Sequence, residues 1–133
     1  IFLIGCAIGF ATGTSWGTIG IMAPIVVSVF NYDVEPVLCT IGLAAACSGG
    51  VMGDHCSPIS DTTIMASAGA QCDHVNHVST QLPYAITVAA VSFVSYLIAG
   101  FVPKAYISLP IALVLMLLTI FVLHRTLKGK AAA

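Results

Sequence analysis

The chain has 133 residues, of which 59% are hydrophobic and 7% are charged, and its formal net charge is −1. Average soluble domains carry about 25% charged residues, and the four basic side chains here form no patch suited to nucleic acid. The composition therefore argues against a soluble enzyme, a disordered segment and a nucleic-acid-binding protein. It predicts an all-α polytopic membrane protein whose main solvent is the lipid bilayer.

Residues 1–31 form an uncharged run that is too long for one simple crossing. As a single helix the run would measure about 46 Å, against a hydrocarbon core of about 30 Å. Glycines and hydroxyl side chains at its middle disfavour a continuous helix. We expect a re-entrant hairpin over 1–31, and a single kinked, tilted span is the alternative. The polar tip of the hairpin would contain Thr12, Gly13, Thr14, Ser15 and Thr18.

Residues 36–70 repeat this pattern as a predicted broken helix. A first apolar arm ends at Met52, a polar stretch covers 53–63, and a second apolar arm starts at Ile64. Pro58 cannot lie in a regular helix interior, but it suits the first position of a new helix with Ser57 as its N-cap. A surface loop that joins separate short helices is the alternative. Irregular backbone at membrane depth is typical of transporters, where it lines ion or substrate sites.

Two plain transmembrane helices are predicted after these segments, over 82–102 and 108–124. Pro110 suits the first turn of the second of them. Residues 125–133 are expected to form a cytoplasmic tail, because basic residues cluster on the cytoplasmic side of membrane proteins. The basic residues of this tail are Arg125, Lys128 and Lys130.

Asp54 and Asp61 are the candidate ligands for a cation and a proton. An intramembrane carboxylate is costly and is therefore a functional candidate. Burial raises the pKa of a carboxyl group, whereas a bound cation lowers it, so one site can hold either Na⁺ or a proton. Asp61 is preferred because it would lie in the first turn of the second half-helix. Hard cations prefer oxygen ligands, which are offered nearby by the hydroxyls of Ser57, Ser60, Thr62 and Thr63.

His74 and His77 lie three residues apart and are candidates for pH sensing at the cytoplasmic mouth. A zinc site is not expected, because the chain has neither an H-E-x-x-H nor a C-x-x-C pattern. The five cysteines are interpreted as small hydrophobic residues.

Three motifs combine polar residues with glycines or a proline: Gly53-Asp-His-Cys-Ser-Pro-Ile-Ser-Asp-Thr-Thr63, the stretch from Gly69 to Tyr84, and Phe10-Ala-Thr-Gly-Thr-Ser-Trp-Gly-Thr18. Together these motifs resemble the NhaC-type sodium/proton antiporter family. The resemblance implies an inner-membrane carrier with two inverted repeats, each holding a re-entrant hairpin and a broken helix. The chain lacks an initiator Met, and we expect it to supply the second repeat and two closing helices. Its partners would then be the N-terminal half of the same transporter and, as a further expectation, a second copy in a homodimer.

The resemblance also implies a function. The leading hypothesis is a secondary active transporter, not an enzyme, that exchanges Na⁺ for H⁺ across the cytoplasmic membrane without a cofactor. The family also includes exchangers of organic anions such as malate and lactate and some amino-acid carriers, which gives the alternative hypothesis. A channel, a membrane enzyme or a scaffold is the third.

Overall fold

The computed structural model describes residues 1–131, and the secondary structure there is all helical. The prediction of an all-α chain is confirmed. Three helical segments, Pro36–Cys56, His74–Phe101 and Ala105–Thr126, are long and apolar enough to cross a membrane. The six helices in this range are α1 (Phe2–Thr12), α2 (Ser15–Val29), α3 (Pro36–Cys56), α4 (Asp61–Gly69), α5 (His74–Phe101) and α6 (Ala105–Ala131).

A two-residue turn at Gly13 and Thr14 separates α1 from α2. Gly13 has a φ of +64°, in the left-handed region that residues with a Cβ rarely adopt. Thr14 is extended, and its side chain accepts a hydrogen bond from the Gly17 amide at 3.4 Å, which caps α2. One glycine and one capping residue therefore make the break that was predicted within 1–31.

The chain reverses at this turn. Ile1 and Phe30, from opposite ends of the segment, both approach Gly42 of α3. Thr18, which follows the turn, lies against Gly50 near the other end of α3. The segment thus folds back as a helical hairpin rather than continuing as one kinked helix.

The contact between α1 and α3 is made by backbone against backbone. The two helices run parallel, with Phe2 beside Gly49 and Phe10 beside Gly53. A Cβ on Gly53 would lie 2.5 Å from the backbone nitrogen of Phe10 and closer still to the carbonyl oxygen of Cys6. Small residues of this kind allow the close helix approach that is common in membrane proteins.

Side chains fix α2 and α5 to α3. The buried core consists of Met22, Val26 and Ala46, which join α2 to α3. Tyr96 of α5 donates a hydrogen bond from its hydroxyl to the Ala44 carbonyl at 3.1 Å. The same hydroxyl lies 2.6 Å from Ser48 Oγ, so α5 is tied to the middle of α3 by a polar contact within an apolar surface.

The break between α3 and α4 is shorter than predicted. Only residues 57–60 are non-helical, whereas the sequence indicated a break over 53–63. Gly53 remains helical, and its lack of a side chain is what allows α1 to approach. The predicted N-cap is also corrected: Ser60 precedes the first residue of α4, and Ser57 instead ends α3 in an extended conformation. Extended backbone is favoured at Ser57 because it precedes Pro58.

The last two helices are longer than predicted. α5 begins at His74 rather than at 82, because the Asp73 side chain caps it by accepting a hydrogen bond from the Asn76 amide at 2.8 Å. α6 begins at Ala105, so Pro110 lies inside the helix and not in its first turn. The helix also continues through 125–131, where the sequence predicted a tail. Residues 132–133 lie outside the described residues.

Candidate functional site

The structure brings the two predicted breaks together. Gly13 in the hairpin turn faces Ile59 in the unwound stretch between α3 and α4. A Cβ on Gly13 would lie 3.0 Å from both the carbonyl carbon and the carbonyl oxygen of Ile59. The hairpin tip and the helix break therefore form one continuous region, in which polar backbone groups from two irregular segments are neighbours.

Asp54 is the buried carboxylate of this region. It lies in the last turn of α3 and is only 5% exposed. Its Oδ1 accepts a hydrogen bond from Ser60 Oγ at 2.6 Å. Ser60 Oγ lies 2.8 Å from Thr62 Oγ1. Because the single hydroxyl hydrogen of Ser60 points to Asp54, Thr62 is the donor in this second bond.

The charge of Asp54 has no Lys or Arg near it in the chain. All four Lys and Arg residues lie at or after position 104. The Ser60 hydrogen bond engages only Oδ1, and Oδ2 makes no hydrogen bond among the residues that the structure describes. No buried side-chain oxygen in the described residues lacks a hydrogen-bond partner, so Oδ2 is not fully enclosed, and a proton or a cation can join it there and offset the cost of the charge.

Further hydroxyl side chains near the two breaks are buried. Ser57 and Thr18 are fully buried, and Thr63 is 2% exposed. The Ser57 hydroxyl accepts from the Ile59 amide at 3.4 Å, and Thr63 donates to the His55 carbonyl at 3.4 Å. Four of the six predicted cation-site residues are thus buried, and the Ser60–Asp54 hydrogen bond joins two of them. We refer to Asp54, Ser57, Ser60 and Thr63 together as the cluster.

Asp61 is placed differently from Asp54. It is the first residue of α4, its side chain is exposed, and its Oδ1 accepts a hydrogen bond from the Thr62 amide at 2.7 Å. A negative charge at a helix N-terminus is stabilised by the helix dipole. Asp61 is therefore positioned to neutralise the positive end of α4.

Among the described residues, the hairpin-tip residues make no hydrogen bond to the cluster. Thr18 donates to the Thr14 carbonyl at 2.8 Å, and its hydroxyl lies 3.4 Å from that of Thr12. Thr12 is exposed, while Thr14 and Ser15 are half-buried. Of the hairpin-tip residues, Gly13, which has no side chain, contacts the unwound stretch at Ile59.

Sequence reasoning missed two residues that hold the break in place. Ser67 is 3% exposed and lies 3.0 Å from His74 Nδ1. Gln81 donates from its side-chain amide to the His55 carbonyl. Ser67 could have been found, because it follows Thr63 by four residues and so shares its helix face. Gln81 could have been found as an amide at the start of an otherwise apolar helix.

Comparison with known proteins places this chain in a family. Residues 1–101 match the profile of the Na⁺/H⁺ antiporter family. An uncharacterized protein of Haemophilus influenzae is 52% identical over 101 residues, which cover 76% of this chain and 19% of that protein. No solved structure shows a significant match.

Two relatives have named activities. The malate-2H⁺/Na⁺-lactate antiporter of Bacillus subtilis is 34% identical over 100 residues, covering 74% of this chain and 21% of that protein. The arginine/ornithine antiporter ArcD of Halobacterium salinarum is 35% identical over 98 residues, covering 74% of this chain and 20% of that protein. The chain thus spans about a fifth of the length of these curated relatives.

Proposed function

This chain belongs to the Na⁺/H⁺ antiporter family, and we propose that it forms part of a carrier that exchanges Na⁺ for H⁺ across the cytoplasmic membrane. The observation that carries the proposal is Asp54, a buried carboxylate with a hydroxyl partner, in a chain that has no Lys or Arg before position 104. Sodium would bind the ionised carboxylate, whereas a proton would neutralise it. Because both use the same group, each excludes the other, which is the requirement for exchange.

Helix ends support a cation at this place. α1 and α3 run parallel, and both end beside the unwound stretch, at Thr12 and Cys56. Their carbonyl ends carry partial negative charge, which favours cations, and broken helices of transporters coordinate Na⁺ in this way. The amino ends of α4 and α2, which carry partial positive charge, also lie at the breaks. The Asp61 side chain accepts a hydrogen bond at the amino end of α4, and the Thr14 side chain accepts one at the amino end of α2.

Sodium also suits the ligands in the cluster. Ser57, Ser60 and Thr63 offer hydroxyl oxygens, and the unwound stretch offers backbone carbonyls that a continuous helix would engage. In this proposal the hairpin is re-entrant, the two breaks lie near the middle of the bilayer, and an inverted partner repeat completes the site.

Exchange of an organic anion or an amino acid is the second candidate, and the named relatives favour it. Helices α2 and α4 both begin at the breaks, and the backbone amides and hydroxyl side chains of their first turns could hold a carboxylate. Against this candidate, neither break contains a Lys or Arg to balance a dicarboxylate.

A reconstituted transport assay separates the two candidates. The full-length transporter that contains this sequence is placed in liposomes with a pH-sensitive dye inside, and a sodium gradient is applied. We expect sodium alone to drive proton movement, with an unchanged rate when malate, lactate, arginine or ornithine is added. Proton movement that requires one of these solutes would contradict Na⁺/H⁺ exchange and support the second candidate.

A cytoplasmic C-terminus completes the proposal, and cysteine labelling tests it. Tyr106, which follows α5, is 73% exposed, and Ser79 near the start of α5 is also exposed. With the native cysteines replaced, Tyr106→Cys should react with an impermeant thiol reagent from outside the cell. Ser79→Cys should react only from the cytoplasm, because α5 is long enough to cross the membrane between them. The reverse pattern would place the C-terminus outside.

A further inference from the structure

Gln81 ties the long helix α5 to the end of α3. Its side-chain amide donates a hydrogen bond to the carbonyl of His55, which lies in the last turn of α3. A carbonyl only accepts hydrogen bonds, so the amide nitrogen of Gln81 is the donor. The two residues are 26 positions apart in the chain, and the contact therefore joins two separate helices.

The last turn of α3 depends on partners of this kind. The carbonyls of the last four residues of a helix find no amide within their own helix, and such a turn frays unless other groups bind them. In α3 this turn carries Asp54, the residue directly before His55. An anchor on the His55 carbonyl therefore acts on the turn that carries the Asp54 carboxylate.

Other groups bind the neighbouring carbonyls. The Ser57 carbonyl accepts from the Ser60 amide at 3.3 Å, and the Pro58 carbonyl accepts from His74 Nε2 at 2.7 Å. The His55 carbonyl also accepts from the Thr63 hydroxyl, but at 3.4 Å, which is long for a hydroxyl donor. Gln81 is thus the main partner of the His55 carbonyl.

The surroundings of Gln81 offer its amide few other acceptors. Gln81 is half-buried at one end of a groove between α3 and α5, whose lining is mostly apolar and includes Val51, Met52 and Val88. An amide on an apolar surface is costly unless it is hydrogen-bonded. The bond to the end of α3 satisfies the amide of one helix and the carbonyl of the other.

We propose that Gln81 is a positioning residue for sodium: its amide anchors the last turn of α3 to α5 and so fixes the Asp54 carboxylate at the ion site. The proposal rests on the proposed sodium site at Asp54. A carboxylate on an anchored turn is already oriented for the ion, and preorganisation of this kind strengthens binding. Gln81 acts on the affinity for sodium through α3, without touching the ion.

Sodium-exchange kinetics of the full-length transporter in liposomes test the anchor. Gln81→Met keeps nearly the same length but removes the donor, so we expect the apparent KM for sodium to rise about fivefold, the effect of one hydrogen bond. The maximum rate should change little. Gln81→Asn keeps an amide on a shorter side chain that does not reach α3, and it should share the rise. Thr80→Val is the matched control with an unchanged KM, because the Thr80 hydroxyl donates to the Asn76 carbonyl of its own helix.

A second tie between α3 and α5 separates positioning from general packing. Tyr96 donates to the Ala44 carbonyl at 3.1 Å, and its hydroxyl lies 2.6 Å from Ser48 Oγ. Ser48 precedes Asp54 by six residues, so this tie lies about 9 Å further back along α3. Tyr96→Phe should therefore lower the thermal unfolding midpoint and leave the KM for sodium unchanged.

Hydrogen exchange reports on the anchor in the absence of sodium. A peptide covering 53–62 contains the Ser57 and Ser60 amides, which donate to the carbonyls of Asp54 and Ser57. In the sodium-free, detergent-solubilised transporter, we expect this peptide to exchange about fivefold faster in Gln81→Met, because loss of a hydrogen bond eases local opening. Its exchange in Tyr96→Phe and Thr80→Val should match the wild type.

The outcomes separate the anchor from the proposed function. A wild-type KM in both Gln81 variants, or wild-type exchange of 53–62 in Gln81→Met, would overturn the positioning role. Equal rises in KM for Gln81→Met and Tyr96→Phe would also overturn it, because both ties would then act through packing alone. Faster exchange of 53–62 in Gln81→Met, in a transporter that moves no sodium, would contradict the proposed function and leave the anchor on α3 standing.

Discussion

Asp54→Asn is expected to abolish sodium-driven proton movement while the protein still inserts into the membrane. Asparagine has nearly the same size, and its carbonyl oxygen can still accept the hydrogen bond from Ser60, so the local structure should persist. The charge that binds sodium and the group that binds the proton are both lost. Sodium binding should weaken by at least about a hundredfold, because a charge in a low-dielectric site contributes several kcal/mol. Equilibrium sodium binding and dye-monitored exchange in liposomes measure the two effects.

Asp61→Asn is the matched control. Its side chain is exposed and accepts its hydrogen bond from the neighbouring Thr62 amide, so we expect exchange to continue with a modest change in rate. The sequence alone favoured Asp61 as the coupling residue. If Asp61→Asn abolishes exchange and Asp54→Asn does not, that earlier assignment stands and the role proposed for Asp54 is wrong.

The positions of both breaks could be predicted because their causes are local. Gly13 adopts a positive φ that other residues resist, and Pro58 restricts the residue before it and lacks an amide hydrogen. The length of the second break could not be predicted. Gly53 has poor helix propensity, yet it is helical because its bare backbone packs against α1. Tertiary contacts of this kind override local preference.

The residue types of the candidate site could be predicted, but their arrangement could not. The sequence offers the carboxylates and hydroxyls as candidates through their residue types and their place between apolar arms. Burial distinguishes Asp54 from Asp61, and burial depends on how α1 and α4 pack around the end of α3. The approach of Gly13 to Ile59 and the bridge from His74 to Pro58 join residues far apart in the chain, so no local pattern indicates them.

Gly53→Ala is expected to separate α1 from α3 and to destabilise the protein. The added Cβ would meet the Cys6 carbonyl oxygen and the Phe10 backbone nitrogen, which are backbone atoms and cannot rotate away. α1 must therefore shift outward along its whole parallel contact. Overpacking of this kind typically costs about 1–3 kcal/mol. A fall in the thermal unfolding midpoint of the detergent-solubilised transporter measures the loss.

Gly20→Ala is the control for Gly53→Ala, and we do not expect it to destabilise the protein. Gly20 lies in α2, and a Cβ there would meet no atom within 4 Å. Since alanine is favoured over glycine in a helix interior by about 1 kcal/mol, this variant should be at least as stable as the wild type. Equal midpoints for Gly53→Ala and Gly20→Ala would contradict the close backbone contact. Because Asp54 directly follows Gly53, the shift of α1 should also weaken sodium binding, and Gly20→Ala should leave it unchanged.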